Sequence, residues 1–165
     1  MLHFGARPPF ALERFLQLCQ GQIPEKDLGI LKTIFPDREY AWEGSQSTLQ
    51  KWYAFETRLR NELVKIRASR KHSEPSRYLR REGYAEPSVV HIAMSAYRNP
   101  SILEAERMLD EERWRVLEEL AIGHYFDIDF LIVYACKLMI LERWEKIRSA
   151  DKARLLQETI SMPEA

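Results

Sequence analysis

Residues 99–120, NPSILEAERMLDEERWRVLEEL, and residues 126–147, FDIDFLIVYACKLMILERWEKI, decide the fold class of this chain. The first segment places apolar side chains three and four positions apart and is acidic elsewhere, which is typical of an amphipathic helix. The second segment is apolar almost all the way round, which is typical of a helix buried on every side. Such a pair, joined by a short turn, predicts two antiparallel helices at the centre of a helical bundle.

Start and stop signals along the rest of the chain predict shorter helices around this pair. Each predicted helix follows a proline or a capping side chain, at Pro9, Pro24, Ser45 or Ser47, Pro87, Asn99, Asp127 and Ser149. No stretch alternates with period two over the length of a strand. The sequence therefore predicts an all-α fold, a bundle with a long central antiparallel helix pair and short flanking helices. Residues 1–165 are expected to form a single domain, in which the polar, turn-rich residues 72–87 are a loop or mobile connection.

Composition and charge narrow the class of protein. Lys and Arg together number 25, as do Asp and Glu, so the chain has no net field that would attract a polyanion. Cys19 and Cys136 lie far apart within apolar helical patterns, which indicates reduced thiols in packing roles. The N-terminus lacks the apolar core of a signal peptide, and the longest apolar stretch, Phe130–Leu141, is too short for the ~20 residues of a spanning helix. We expect a soluble, cytoplasmic protein that reaches membranes only through a partner.

Catalytic signatures are mostly absent from the sequence. The six glycines are scattered, so there is no phosphate-binding loop, and no two histidines stand at the spacing of metal ligands on one helix. The nearest approach to a metal cluster lies around one helix–helix turn, at Glu118, Glu119, His124, Asp127 and Asp129. Its Asp-x-Asp pattern is followed by Phe130 and Leu131, where a calcium loop needs ligands and a glycine. We therefore expect capping and solvent-exposed roles, with no metal, no cofactor and no enzymatic activity.

Three charged side chains fall within apolar stripes of the predicted pair. Asp110 and Arg113 stand three residues apart on one helix, so they can pair with each other. Either Asp110 is a functional carboxylate with a shifted pKa, or the two residues form a half-buried structural ion pair. We favour the structural interpretation. Lys137 could act as a desolvated nucleophile, but we favour snorkelling to solvent or pairing with a carboxylate.

A basic segment is the strongest candidate for a binding surface. Between residues 65 and 81 the chain carries seven basic side chains and one acidic one, Glu74; the seven are Lys65, Arg67, Arg70, Lys71, Arg77, Arg80 and Arg81. These residues either form a docking surface for an acidic partner protein, phospholipid headgroups or nucleic acid, or complement the negative end of a helix dipole before a solvated loop. Nucleic acid is disfavoured, because the net charge is zero and Tyr78 is the one aromatic residue available for stacking.

Several segments resemble a family of uncharacterised bacterial proteins usually encoded beside V-type ATP synthase subunits, and more distantly the C-type subunit of V/A-type rotary ATPases. The segments are LHFGARPPFALERFLQLC, KWYAFETRLRNELVKIRASRK, LDEERWRVLEEL and FDIDFLIVYACKLMILERW. The matching positions are Phe4, Gly5, Pro8, Pro9, Phe15, Arg58, Asn61, Arg70, Lys71, Asp110, Trp114, Glu118, Glu119, Phe126, Asp127, Tyr134, Leu138, Arg143 and Trp144. Members of that family carry an apolar segment ahead of the matching opening, so the resemblance implies a truncated or short version.

The resemblance implies a structural role, as a helical adaptor between the central stalk and the membrane ring of a rotary ATPase or as an assembly protein. The expected partners are therefore stalk or ring subunits, contacted through the basic segment. Two alternatives stay open. One is a small helical enzyme or ligand carrier with a polar site at Asp110, Arg113 and Lys137, which requires a cavity of roughly 300 Å³ lined by those groups. The other is a nucleic-acid-binding module that uses residues 65–81.

Overall fold

The computed structural model describes residues 2–34, 44–80 and 84–160, with side chains as far as Asp151. Within these ranges the chain forms α-helices and one 3₁₀ turn and no strand, so the predicted all-α class is confirmed. The 3₁₀ turn spans Pro75–Tyr78. The helices are α1 (Leu12–Cys19), α2 (Glu25–Lys32), α3 (Ser47–Arg70), α4 (Pro87–Arg98), α5 (Ile102–Leu120) and α6 (Ile128–Ile160).

The chain divides into two compact units. The central unit comprises Phe35–Asp129, and the terminal unit comprises Met1–Ile34 together with Phe130–Ala165. The central unit thus contains α5, whereas nearly all of α6 belongs to the terminal unit. The antiparallel pairing of these two helices and the single domain over residues 1–165 therefore stay predictions.

Helices α3, α4 and α5 pack against one another in the central unit. Leu49 and Leu59 of α3, Ala93 of α4 and Leu117 of α5 are fully buried. Burial of such side chains from all three helices removes apolar surface from water, which is the main favourable term in folding.

Two helix starts of the central unit differ from the sequence prediction. Gln46, and not Ser45 or Ser47, caps α3, because its side-chain oxygen accepts a 2.7 Å hydrogen bond from the Leu49 amide. Ser101, and not Asn99, caps α5 by accepting from the Glu104 amide at 3.2 Å. Asn99 instead accepts from the Ser101 amide at 2.9 Å, which fixes the approach to that cap. Neighbouring polar residues compete for these positions, so spacing alone misplaces a cap by one or two residues.

The terminal unit is organised around the first half of α6. Ile132, Ala135, Leu138 and Leu141 have no exposed surface. The Leu12 amide at the start of α1 donates a 2.5 Å hydrogen bond to Glu142 Oε1, which supplies the cap that Ala11 lacks. The rings of Phe15 and Tyr134 lie 5.1 Å apart. Polar and aromatic contacts thus join α1 to α6.

Helix α6 is longer than the sequence prediction. It runs without interruption through Ser149, where we expected a cap and the start of a separate helix. No glycine or proline stands between Ile128 and Ile160, so nothing ends the ladder of backbone hydrogen bonds. Despite this length, none of the helices in the described residues is apolar enough over a sufficient span to cross a bilayer.

Candidate functional site

The basic segment begins on the last turns of α3 and continues over a chain that folds back onto that helix. Arg60 Nη1 donates to the Tyr78 carbonyl at 2.9 Å. The Asn61 amide donates to the Arg80 carbonyl at 2.6 Å and accepts from the Arg80 amide at 3.0 Å. Asn61 thereby satisfies both backbone groups of Arg80, as a neighbouring strand would. The predicted connection is therefore bound to α3 at two points, Tyr78 and Arg80. The next residues, 81–83, lie outside the described residues.

Most cations of this segment face solvent. Arg67, Lys71 and Arg77 are exposed, and within the described residues they make no ion pair. Lys65 pairs with Glu62 at 2.7 Å, and Arg70 Nη1 donates to the Tyr97 hydroxyl at 3.1 Å. Arg80 is half-buried, and Arg81 lies outside the described residues. The basic segment therefore presents a positively charged surface, and hydrogen bonds from α3 hold its backbone in place.

Asp110 and Arg113 are in direct contact in the central unit. Arg113 Nη1 lies 3.0 Å from Asp110 Oδ1, and its Nε and Nη2 donate to the Glu56 carboxylate at 2.8 and 3.3 Å. Asp110 is 1% exposed and Glu56 is 8% exposed. Burial by itself would lower the pKa of Arg113, but the charges and hydrogen bonds of Glu56 and Asp110 raise it above its ordinary value. This cluster joins α3 to α5, and each of the three guanidinium nitrogens of Arg113 donates a hydrogen bond to a carboxylate.

Sequence reasoning missed Glu56, although a signal for it existed. Glu56 lies four residues after Trp52 and three before Leu59, so it falls on the buried face of α3. A carboxylate on a core face needs a buried partner, and Arg113 supplies one. Asn61 was marked only by the family resemblance, since nothing in its spacing indicates that it binds a distant backbone.

Lys137, the third charged residue of the predicted apolar stripes, is buried in α6 of the terminal unit. Asp110 and Arg113 belong to the central unit. The choice between snorkelling and pairing for Lys137 stays a prediction.

The residues of the possible metal cluster divide into two groups. Glu118 and Glu119 lie on α5, where Glu118 accepts from Trp114 Nε1 at 2.9 Å and Glu119 pairs with Arg115. The other three lie at the turn between α5 and α6 and at the start of α6. His124, Asp127 and Asp129 bring their ligand atoms within 4.8 Å of one another. His124 Nδ1 lies 2.6 Å from Asp127 Oδ2, while Asp129 Oδ1 accepts from Gln46 at 2.6 Å and from the Thr48 hydroxyl. The contacts of Asp129 with Gln46 and Thr48 join the start of α6 to the start of α3.

We predict that His124 titrates above its ordinary pKa of 6.5 in the folded protein. The hydrogen bond to Asp127 is the main cause, because it stabilises the protonated ring. Since the folded pKa is the higher one, this contact stabilises the fold below pH 6.5 and is lost as the pH rises through the folded value. An NMR titration of the ring should show the raised pKa, and Asp127→Asn should lower it. A value that Asp127→Asn leaves unchanged would contradict this assignment.

A groove of about 340 Å³ opens between α3, α4 and α5 in the central unit. Its floor includes Phe55, Val89 and Val116, and its lining contains neither Asp110 nor Arg113 nor Lys137. The charged groups in it largely face each other. Arg115 pairs with Glu112 at 2.6 Å and with Glu119, and Arg58 lies 3.5 Å from Glu86. The groove therefore does not bring together the polar groups that the enzyme hypothesis required.

Comparison with known proteins adds one family of unknown function. The model of the family described as "Protein of unknown function (DUF2764)" matches residues 87–162, which contain α4, α5 and α6. Neither the curated proteins nor the solved structures contain a match to the chain. The match names no reaction and no partner.

Proposed function

We propose that this protein is a non-enzymatic helical adaptor that binds an acidic surface of a protein partner through its basic segment. The supporting observation is the anchoring of that segment by Asn61 and Arg60, with Arg67, Lys71 and Arg77 exposed on it. Ordered cations lose less conformational freedom on binding than cations on a loose chain, so they are better suited to a specific contact. Unpaired surface charge also steers association with a partner of opposite sign.

The choice of partner follows from the family resemblance. We propose stalk or ring subunits of a V-type ATP synthase, with the chain acting as a link similar to the C-type subunit or as an assembly protein. On this proposal the protein works in the cytoplasm and reaches the membrane only through the complex. An adaptor of this kind needs stable helices and charged contact surfaces, and it needs no reaction centre.

Charge reversal of the exposed cations tests the docking surface. In a binding assay with purified stalk and ring subunits, we expect Arg67→Glu, Lys71→Glu and Arg77→Glu together to weaken binding by about tenfold or more at low salt, because attraction becomes repulsion. The wild-type affinity should fall as salt is raised.

A second triple variant controls for the change in net charge. Arg14→Glu, Lys26→Glu and Lys32→Glu reverse the same number of exposed charges in the terminal unit, and they should leave binding nearly unchanged. If both variants weaken binding equally, the effect is one of net charge and the basic segment is not the docking surface. If the wild-type protein binds neither stalk nor ring subunits, the rotary ATPase assignment is wrong.

A further inference from the structure

The turn between α5 and α6 exposes three large apolar side chains within five residues. Ile122 is 77% exposed, Tyr125 is 70% exposed and Phe126 is 105% exposed, so Phe126 is as open to water as in an extended peptide. We call these three residues the apolar turn. Single exposed apolar residues are common on protein surfaces, but a cluster of this kind marks an interaction site.

The backbone of the apolar turn is ordered. Gly123, in the turn that follows α5, adopts a φ of 83°, a left-handed conformation that favours glycine. The Ile122 amide donates to Glu119 at 3.2 Å, and the His124 amide donates to Ala121 at 3.0 Å. On the other side, the contact of His124 with Asp127 holds the chain where α6 begins. The apolar side chains are therefore displayed on a fixed frame, which reduces the entropy lost when they bind.

The size of the apolar turn favours insertion into a pocket over self-association. A large aromatic side chain buries about 150–250 Å². Two aromatic side chains and one isoleucine together fall short of the roughly 800 Å² that each partner contributes to a stable protein–protein interface. A small set of anchors in a fitted pocket, in contrast, can supply most of the energy of a larger contact.

The charges around the apolar turn indicate the chemistry of the partner. Residues 118–129 contain four acidic side chains, of which Glu118, Glu119 and Asp127 are exposed, and one basic side chain, His124. Two further cations lie close by, since Arg115 pairs with Glu119 and the charge of Lys51 acts on the pKa of His124. The four carboxylates still outnumber these three basic groups. Anionic lipid headgroups would be repelled by this surface, whereas lysine or arginine around a protein pocket would be attracted to it.

We propose that the apolar turn is a docking anchor that inserts into an apolar pocket bordered by lysine or arginine on a partner protein. The anchor is a surface distinct from the basic segment, and its charge is of opposite sign. The inference goes beyond the adaptor proposal and does not depend on the rotary ATPase assignment, since it is argued from exposure, size and charge.

Site-specific crosslinking followed by binding measurements tests the anchor. A photoreactive phenylalanine derivative placed at position 126 in the native cells should crosslink to a protein, and the same group at position 84 should not crosslink to that same protein. Tyr84 is a suitable control because it is 81% exposed in the same unit. The captured protein is then purified and its affinity for the chain is measured directly.

The affinity series decides the outcome. Tyr125→Ser with Phe126→Ser should weaken binding by about tenfold or more, while Tyr84→Ser should change it less than twofold. Glu119→Lys should weaken binding as well, because the partner is expected to be basic there. Since Phe126 is fully exposed, its replacement should leave the far-UV circular dichroism spectrum unchanged.

Three results would overturn the proposal. The first is no protein crosslink at position 126, and the second is a captured protein whose affinity is indifferent to Phe126. The third is binding to vesicles of phosphatidylcholine, with or without phosphatidylglycerol, that Phe126→Ser abolishes, since that would make the turn a membrane anchor. A failure of the charge-reversal experiment on the basic segment would leave all these outcomes informative, because the two surfaces share no residue.

Discussion

Replacing Arg113 by leucine should lower the free energy of unfolding of the central unit by about 3–5 kcal/mol. The substitution removes the guanidinium that lies between Glu56 and Asp110 and leaves two carboxylates of like charge buried without it. Removing one member of a buried ion cluster is far more destabilising than the net value of the cluster, because the remaining charges keep their desolvation penalty. Urea denaturation followed by circular dichroism measures the change.

Two further variants on α5 separate this effect from a general loss of charge. Arg107 pairs with Glu111 one helical turn away, and both side chains are about half exposed, at 52% and 51%. Arg107→Leu should therefore change the free energy of unfolding by less than about 0.5–1 kcal/mol. Arg113→Lys keeps the charge but loses the two-pronged contact with Glu56, so it should fall between these values. Equal effects of Arg107→Leu and Arg113→Leu would show that the buried cluster contributes no more to the free energy of unfolding than an exposed ion pair does.

Whether the sequence predicts a contact of this cluster depends on how many positions separate the two residues along the chain. The contact of Asp110 with Arg113 follows from a spacing of three residues on one helix, which is local information. The contact of Arg113 with Glu56 joins residues 57 positions apart, and it exists because α5 packs on α3. Local spacing identifies both charged faces, but only the tertiary packing decides that they meet.

The same distinction separates what was predicted about the binding surfaces from what was not. The basic character of residues 65–81 is a matter of composition, and the sequence displays it directly. The attachment of that segment to α3 depends on Asn61 and Arg80, which have no periodic relationship. The apolar turn was overlooked for another reason. Hydrophobic periodicity is used to assign core positions, so an apolar residue between two helices is not expected to face water.

Helix lengths show where sequence signals are sufficient. The helical class follows from the period of the apolar residues, and α6 continues because no breaker interrupts it. A serine caps a helix only at a position where the helix begins or ends. No glycine or proline interrupts α6 around Ser149, so the helix continues through it. The position of an element along the chain is thus better determined by breakers than by residues that are able to cap.

Truncating Leu138 to alanine should destabilise the terminal unit by about 2–5 kcal/mol. Leu138 is completely buried in the first half of α6, where Ala135 and Leu141 are also without exposed surface. The cost has two parts, the lost burial of the removed atoms and the cavity that remains if neighbours cannot relax. Denaturant unfolding measures it, and the midpoint should move while the dependence on denaturant concentration stays the same.

Leu18→Ala is the matched control, because Leu18 is 47% exposed on α1 of the same unit. Its effect should stay within about 0.5 kcal/mol, since about half of its surface is already in water. The comparison bears on function as well as stability. A small-molecule site along α6 would require a hollow beside residues such as Lys137 and Leu138, and a side chain that already borders a hollow loses little on truncation. A cost for Leu138→Ala no larger than that for Leu18→Ala would therefore favour the ligand-carrier hypothesis. The full cost would favour a packed helix that serves a structural role.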